Sequence, residues 1–524
     1  MALGTSPLLQ RFESPREILG DRLREGSIYR LLADEGHRLF PNDYFADLYS
    51  DSVRGRPTIP ARVMASVMVL QALEGLSDRE ATDRLEFDLR WQAACGLDTG
   101  AESFHSTALV GQRNRLRESK RPRRMFDDTR LVARECGAMK NRARVFDSTP
   151  IYDAVATQDT VTQLRSSIRK LLNVLDSSGE GALATRVRTV LTRDDDYRSV
   201  GKPPCDWDDP ASREQLVDEL VTDAMAALRV LEGEELTSAK DAALLLALVA
   251  GQDVEEGADG VFRIARKVAK DRVISTVDVE ARHGHKSKAR KFDGFKAHLS
   301  VDPDSELIDE VVATPANTPD REAVPALVEH LLGEEAPPEI VGDAAYGDGA
   351  TRHELGQKGL TVIARVPPLR NTTGGFTKDR FSVNLTTNTV TCPADHVVSI
   401  RFRRSGGGVA RFASHCASCP LRSSCTSARS GRVVTIHPHE DLLQQARRDQ
   451  REPEWLARYR ADRPMVERKI AHFVLRAWGG RRARTRGLKR VATDLDTRAA
   501  AINLARLAVL GLRSSEGGWA ITAT

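Results

Sequence analysis

The sequence predicts an α/β fold: a mixed sheet covered by helices, preceded by a helical N-terminal region and interrupted by a helical insertion and a small cysteine-containing β insertion. Three observations predict it. The runs "FDGFKAHLSVD" and "LIDEVVATPA", rich in β-branched and aromatic residues, follow each other closely, as antiparallel strands do. Helix and strand signals then alternate through "PDREAVPALVEHLLG", "PEIVGDAAYG", "TRHELGQKG" and "LTVIARVPP", which is how parallel strands are connected. Apolar residues recur at helical spacing in residues 60–95, 160–258 and from about 440 onward.

A chain of 524 residues exceeds what one compact core usually supports, so several domains are expected. Shifts in pattern divide it into a helical region over 1–110, a basic linker over 111–140 and a sheet core over 141–160 and 259–370. A helical insertion over 161–258, a cysteine-rich, zinc ribbon-like insertion over 371–435 and a helical part over 436–524 complete the division. The net charge is only +4, from 78 basic and 74 acidic residues, so the distribution of charge says more than its sum. The N-terminus does not resemble a signal peptide, and the longest apolar run, "AALLLALVA", is too short to span a bilayer. A cytoplasmic protein is expected.

Along the N-terminal region, Pro60 suits a first helical position, Gly75 a helix stop, and Ser77 with Glu80 a capping box. The resulting helical hairpin could dock on DNA or serve only the fold. "RNRLRESKRPRR", 113–124, carries seven basic residues against one acid and fits phosphate contact or a solvated linker. "RVFDSTPIYD" is a short strand ending in Asp147, and "RVISTVDVEARHG" reads as a further strand.

Seven cysteines include four, Cys392, Cys416, Cys419 and Cys425, within residues 392–425. They could supply four thiolates to a structural zinc or remain free thiols, and His396 and His415 could replace a cysteine as ligand. Cys95, Cys136 and Cys205 suit packing.

Cutting a phosphodiester needs a strong nucleophile and a stabilised leaving oxygen, and two magnesium ions roughly 4 Å apart, held by carboxylates, supply both. Asp147 follows "RVF" and Asp343 follows "EIVG", so both sit at strand ends where sheet enzymes build sites, although turn or capping aspartates also sit there. Asp348, past Gly347, suits a helix cap. Tyr459, Arg463 and Glu467 recur every four residues on one helical face, where Arg463 and Glu467 could also form a plain surface ion pair.

The ordered stretches "RVFDSTPIYDAVATQD", "RHGHKSKARKFDGFKAHLSVD", "ATPANTPDREAVPALVEH", "EIVGDAAYGD" and "RYRADRPMVERKIAHF" resemble the DDE transposases of bacterial insertion sequences. Within them they are similar to the branch with a Tyr-Arg-Glu-Lys signature, insertion-sequence group eleven-eighty-two. Residues 43–88 are similar to the helical N-terminal domain of the same proteins. The resemblance implies an RNase H-like catalytic core and an N-terminal DNA-binding domain. It implies Asp147 as first catalytic aspartate on the first strand, Asp343 as second on the fourth strand, and Glu467 as the glutamate on a late helix. The three would hold two Mg²⁺ (or Mn²⁺) ions, one activating water or a DNA 3′-hydroxyl and one stabilising the leaving oxygen. Tyr459 and Arg463 match the signature's DNA-contacting Tyr and Arg. This chain has three residues between them where the family has two, and Val474 where Lys is expected; His472 or Arg476 could take the basic role.

Two basic patches flank these acids. Residues 282–296 hold Arg282, His283, Lys286, Lys288, Arg290, Lys291 and Lys296, and residues 476–490 hold Arg476, Arg482, Arg484, Arg486 and Lys489. Both fit DNA phosphates, the first also fitting a solvated hairpin. The expected activity is that of a transposase which binds terminal inverted repeats, cleaves DNA and transfers 3′-hydroxyl ends to target DNA. A homodimer on paired ends would do so. A metal-dependent nuclease without strand transfer, or a transposase-derived DNA-binding protein without catalysis, are the alternatives.

Overall fold

The computed structural model describes residues 14–49, 58–195, 197–267, 269–287, 289–333, 337–371, 374–475 and 480–522. Its centre is a six-stranded mixed sheet: β1 (Ala143–Tyr152), β2 (Arg282–Ser287), β3 (Arg290–Val301), β4 (Ile308–Pro315), β5 (Glu339–Gly342) and β6 (Val362–Ala364). β3 runs antiparallel to β1, β2 and β4; Gly294 pairs with Tyr152 on one side and Arg282 on the other, so β2 and β4 lie end to end along the edge away from β1. β5 is parallel to β1 and β6 is parallel to β5. Across the sheet the order is therefore β4, β3, β1, β5, β6, with β2 extending the β4 edge.

β1 is buried on both faces except at Asp147, Ser148 and its last residue, so apolar residues flank a polar centre. Its parallel pairing stops at Val145 while its antiparallel pairing with β3 continues to Tyr152. Asp147 thus lies inside a ten-residue strand instead of ending it, two residues beyond the last parallel partner. The strand before Asp343 is fifth in chain order, since β2 precedes β3.

The expected strand over 272–284 begins only at Arg282. The backbone before it is satisfied by side chains: Val273 N–H donates to Gln252 Oε1 at 2.9 Å, Gln163 Nε2 to Val273 O at 2.9 Å, and Thr276 N–H to Gln158 Oε1 at 2.8 Å. With its polar groups so occupied, the segment has no call on a ladder.

The N-terminal layer consists of α1 (Ile28–Leu39), α2 (Ala61–Glu74), α3 (Asp78–Phe87), α4 (Leu89–Cys95), α5 (Thr107–Glu118) and α6 (Arg124–Glu135). Pro60 caps α2, Gly75 ends it at φ 66°, and Ser77 and Glu80 form the expected capping box. α2 is buried on nearly every side, so it is the central helix of this layer and only part of the hairpin faces outward. The layer shares one hydrophobic core with one face of the sheet and with α15 (Leu488–Val509). Asn503 on α15 fixes the two together, accepting from Ile308 N–H and donating to Ile308 O, each at 2.8 Å.

The basic run 113–124 spans the end of α5 and the start of α6 and is seated by ion pairs. Arg124, 1% exposed in its side chain, grips Asp47 at 2.6 and 2.7 Å; Arg113 pairs with Asp78, and Arg123 bridges Glu310 of β4 and Asp496 of α15. Burial pushes the Asp496 carboxyl up to about 7; Arg123 opposes this and Glu310 adds to it. A folded-state value above the ordinary 3.8 means that the folded protein keeps this proton longer. The contribution is full below the ordinary value and is lost as pH rises through about 7. In urea unfolding, the wild type should lose stability relative to Asp496→Asn between about pH 5 and about pH 8; an unchanged difference would contradict the assignment.

Residues 160–252 fold as α7 (Thr160–Ser177), α8 (Gly181–Val190), α9 (Pro210–Leu231) and α10 (Lys240–Gln252) around a separate core. The opposite sheet face packs on α11 (Val324–Val328) and α12 (Gly349–Gln357). The cysteine-containing segment forms two three-stranded antiparallel sheets, β7 (Ser382–Asn384), β8 (Thr389–Thr391), β9 (Val397–Ser399) and β10 (Arg401–Phe402), β11 (Gly408–Arg411), β12 (Val433–Ile436). α13 (Glu440–Asp449), α14 (Pro453–Phe473) and α15 follow, then a hairpin of β13 (Leu512–Ser515) and β14 (Gly518–Ile521). Among the described residues no helix is long and apolar enough to cross a membrane.

Candidate active site

The site forms where β1 and β5 separate. Asp343 leaves the end of β5, and a tight turn follows in which Ala345 N–H donates to Asp343 Oδ1 at 2.8 Å. Gly347 makes that turn possible, since a Cβ there would lie 1.9 Å from the Arg365 carbonyl oxygen. Asp348 then caps α12 through Ala350 N–H and Thr351 N–H, as expected for a capping residue.

Asp147 projects from the face of β1 covered by α14. Its Oδ2 accepts from Arg463 at 2.9 Å and its Oδ1 from Ser148 N–H at 2.8 Å. Arg463, one turn before Glu467, also approaches Glu467 at 3.6 Å. Burial disfavours the Arg463 charge, but Asp147, Glu467 and Asp343 outweigh it and hold its pKa up. Burial likewise raises the Asp343 carboxyl, and the charges of Asp147 and Asp320 push in the same direction. Converging carboxylates held apart from water are a standing demand for positive charge.

Asp320 is the member that sequence reasoning missed. It lies on the turn after β4, accepts from Ser148 Oγ at 2.9 Å and pairs with Lys296 of β3 at 2.8 Å. Lys296 also donates to Thr318 O at 2.8 Å. Ser148 and Lys296 belong to the face of β1 and β3 opposite Asp147, so charge reaches the strand ends from both sides of the sheet. His298, on that face, donates to or accepts from Thr314 Oγ1 at 2.9 Å, and burial lowers its pKa to about 4, so it is neutral near pH 7. "NTPDREA" gave no local sign of this role, because the partners of Asp320 lie on other strands.

Glu467 and Tyr459 depart from the expected arrangement. The Glu467 side chain is 64% exposed and reaches no carboxylate partner. Tyr459 is only 9% exposed, stacked on Trp455 with ring centroids 5.0 Å apart and covered by Arg365. It lies beside Arg463, within the fold and not on an open surface. The donors at the site are carboxylate oxygens, the set that hard divalent cations take, and Asp147 with Asp343 fits such an ion. Among the described residues, however, no three His, Cys, Asp or Glu side chains already form a metal-holding group.

The first basic patch forms the β2–β3 hairpin. Lys286, Arg290 and Lys291 are exposed, whereas Arg282 pairs with Asp271 at 2.8 Å and His283 contacts Asp293 at 2.6 Å. In the second, Arg482, Arg486 and Lys489 are exposed; Arg482 donates to Ala154 O at 3.2 Å and Arg484 to Leu76 O. Lys288 and Arg476 lie outside the described residues.

The four clustered cysteines surround one small cavity together with His396 and His415. Burial raises the Cys425 thiol, with Cys416, Cys392 and Cys419 adding to the effect, and Arg432 N–H donates to Cys416 Sγ at 3.3 Å. Four thiols around one cavity match a soft cation in number and type, although among the described residues no three His, Cys, Asp or Glu side chains form a metal-holding group.

Residues 391–508 match the family described as Transposase DDE domain, and residues 18–115 match Transposase domain (DUF772). Two parts of the chain are thus similar to the domains of DDE-type transposases. They cover the N-terminal layer and the segment bearing the cysteines, Tyr459, Arg463 and Glu467, while Asp147 and Asp343 fall between them. No curated protein and no solved structure gives a significant match.

Proposed function

We propose that the chain is a transposase that binds the terminal inverted repeats of an insertion sequence, cleaves DNA there and joins the freed 3′-hydroxyls to target DNA. The observation that carries this reading is the convergence of Asp147 and Asp343 at the parting of two parallel strands, with the Glu467 helix packed across the Asp147 face. The sheet order supports an RNase H-like core, because three antiparallel strands followed by two parallel ones place the first and fifth strands side by side.

Asp147, Asp343 and Glu467 would hold two Mg²⁺ or Mn²⁺ ions, which supply an activated water or 3′-hydroxyl and a stabilised leaving oxygen. Arg463 sets the position of Asp147 and balances part of the carboxylate charge. Lys296, held by Asp320, presents a cation on the other side of the strands, where a phosphate can be received. Lys286, Arg290 and Lys291 on the hairpin and Arg482, Arg486 and Lys489 beyond α14 extend this positive surface for the DNA backbone. Phosphate contacts of this kind position DNA without specifying its sequence, so end recognition falls to the N-terminal helices. Two ends held together call for two copies of the chain.

An assay with pre-cleaved, labelled ends and supercoiled target separates joining from hydrolysis. Labelled end joined to target, dependent on Mg²⁺, is the expected result; cleavage without any joined product would make the protein a nuclease instead. The four cysteines hold a structural zinc in this reading. About one zinc per chain is expected in the wild type by mass spectrometry of metals, and Cys419→Ser should lower both the content and the melting temperature. Wild type free of zinc after purification with zinc present would remove the metal from the account.

A further inference from the structure

A cleft of about 280 Å³ opens where α2, α3, α5 and the first turns of α15 meet. Arg113, Arg117, Arg484 and Arg490 line it, against only two carboxylates, Asp78 and Asp494. Asp78 is taken up by Arg113 and Asp494 faces Arg498 at 3.4 Å. Among the described residues, Arg117, Arg484 and Arg490 form no ion pair, with Glu118 acting on Arg117 and Asp78 and Glu80 on Arg484 only at longer range, and Arg484 and Arg490 are exposed at the rim. Burial, Arg490 and Arg113 all work against the charge of Arg117. The Thr485 hydroxyl, also lining the cleft, is buried with no hydrogen-bond partner. Like charges drawn together beside an unsatisfied hydroxyl cost free energy that an anion with several oxygens would recover.

The cleft is also connected to the carboxylates. Arg481 donates to Thr149 Oγ1 at 3.2 Å, on the same face of β1 as Asp147, and Arg482 bridges Tyr152. Two residues later Arg484 reaches Leu76 O, at the corner between α2 and α3. One short segment thus runs from the catalytic strand to the cleft, and both transposase-like parts of the chain contribute walls.

We propose that this cleft seats a backbone phosphate of duplex DNA and so fixes the path of the duplex between the N-terminal helices and the catalytic carboxylates. The proposal rests on the reading of the protein as a DNA-cutting transposase. The ligand chemistry is a phosphodiester, recognised without regard to sequence by guanidinium groups from α5 and α15.

The test uses the full chain and a fluorescein-labelled random-sequence duplex, with affinity measured by anisotropy over a range of salt. The double variant Arg117→Gln/Arg490→Gln should bind about tenfold more weakly and show a salt slope smaller in magnitude by about one, one phosphate contact being lost. Arg263→Gln, at an arginine away from the cleft that pairs with Glu214 and Asp259, should change neither. In the wild type, bound duplex should shield Arg117 and Arg490 from modification by phenylglyoxal, a readout that requires no variant to fold. Inorganic phosphate at the same concentration should not. Wild-type affinity and slope in the double variant, unshielded arginines in the complex, or equal shielding by inorganic phosphate would each overturn the proposal. A wild type that binds duplex through these arginines but never cuts it would leave the cleft standing and defeat the transposase reading. Variants that bind like wild type while wild type cuts would do the reverse.

Discussion

Asp343→Asn should lower metal-dependent DNA cleavage by about a thousandfold, equivalent to ~4 kcal/mol of transition-state stabilisation, while leaving the fold intact. The carboxylate follows β5 directly, is raised in pKa by burial and by Asp147 and Asp320, and accepts one hydrogen bond, from Ala345 N–H. The amide keeps the size and can still accept that bond, so unfolding midpoints should stay near wild type. What it loses is the anionic charge that would hold a divalent ion, and the nearby carboxylate of Asp320 is held by Lys296. Asp348→Asn is the matched control, because that carboxylate only caps α12; cleavage should be within a few fold of wild type. Equal loss in both variants would mean that the turn, and not its first aspartate, matters.

Arg144→Ala should destabilise the protein by about 3–5 kcal/mol, measured by urea unfolding, because it strands buried carboxylates. Arg144, 2% exposed in its side chain, pairs with Asp309 at 2.7 Å and Asp302 at 3.2 Å, both of them buried. Its guanidinium also donates to Lys140 O and Ala143 O, so every polar partner loses at once. Burial would push Asp309 up, yet His330 and Arg144 hold its pKa far below the usual carboxylate range. The pair ties β1 to β4 across β3, three residues upstream of Asp147, and its loss reaches the site through the strand. Arg263→Ala, which removes solvent-screened pairs with Asp259 and Glu214, should move the unfolding midpoint far less. Similar losses in the two variants would contradict the view that burial sets the cost.

The parts legible in the sequence were those that local pattern controls. β3, β4 and α9, the capping box of Ser77 and Glu80, the Asp348 cap and the place of Asp343 after an apolar strand all follow from residues within a turn or two. Contacts between distant segments were not legible. Arg463 reaches Asp147 across 316 residues, and Asp320 meets Ser148 across 172. The strand expected over 272–281 failed for the same reason, since glutamines from α10 and from the segment before and within α7 take its backbone groups. Arg113, Arg123 and Arg124 read as open charge in the sequence and proved to be paired, Arg113 and Arg124 within the N-terminal layer and Arg123 between that layer and the core. The same distance hid the cleft, whose arginines come from two ends of the chain.

Glu467 is the least enclosed of the three acids, and among the described residues its exposed carboxylate is joined to the site through Arg463 alone. Cleavage of labelled DNA ends by Glu467→Gln, compared with Asp343→Asn under the same Mg²⁺ concentration, decides whether the three acids act as one set. Losses of the same size, about a thousandfold each, are expected if Glu467 joins the two aspartates on the ions. Near-wild-type cleavage by Glu467→Gln would contradict the assignment of this chain as a three-carboxylate transposase.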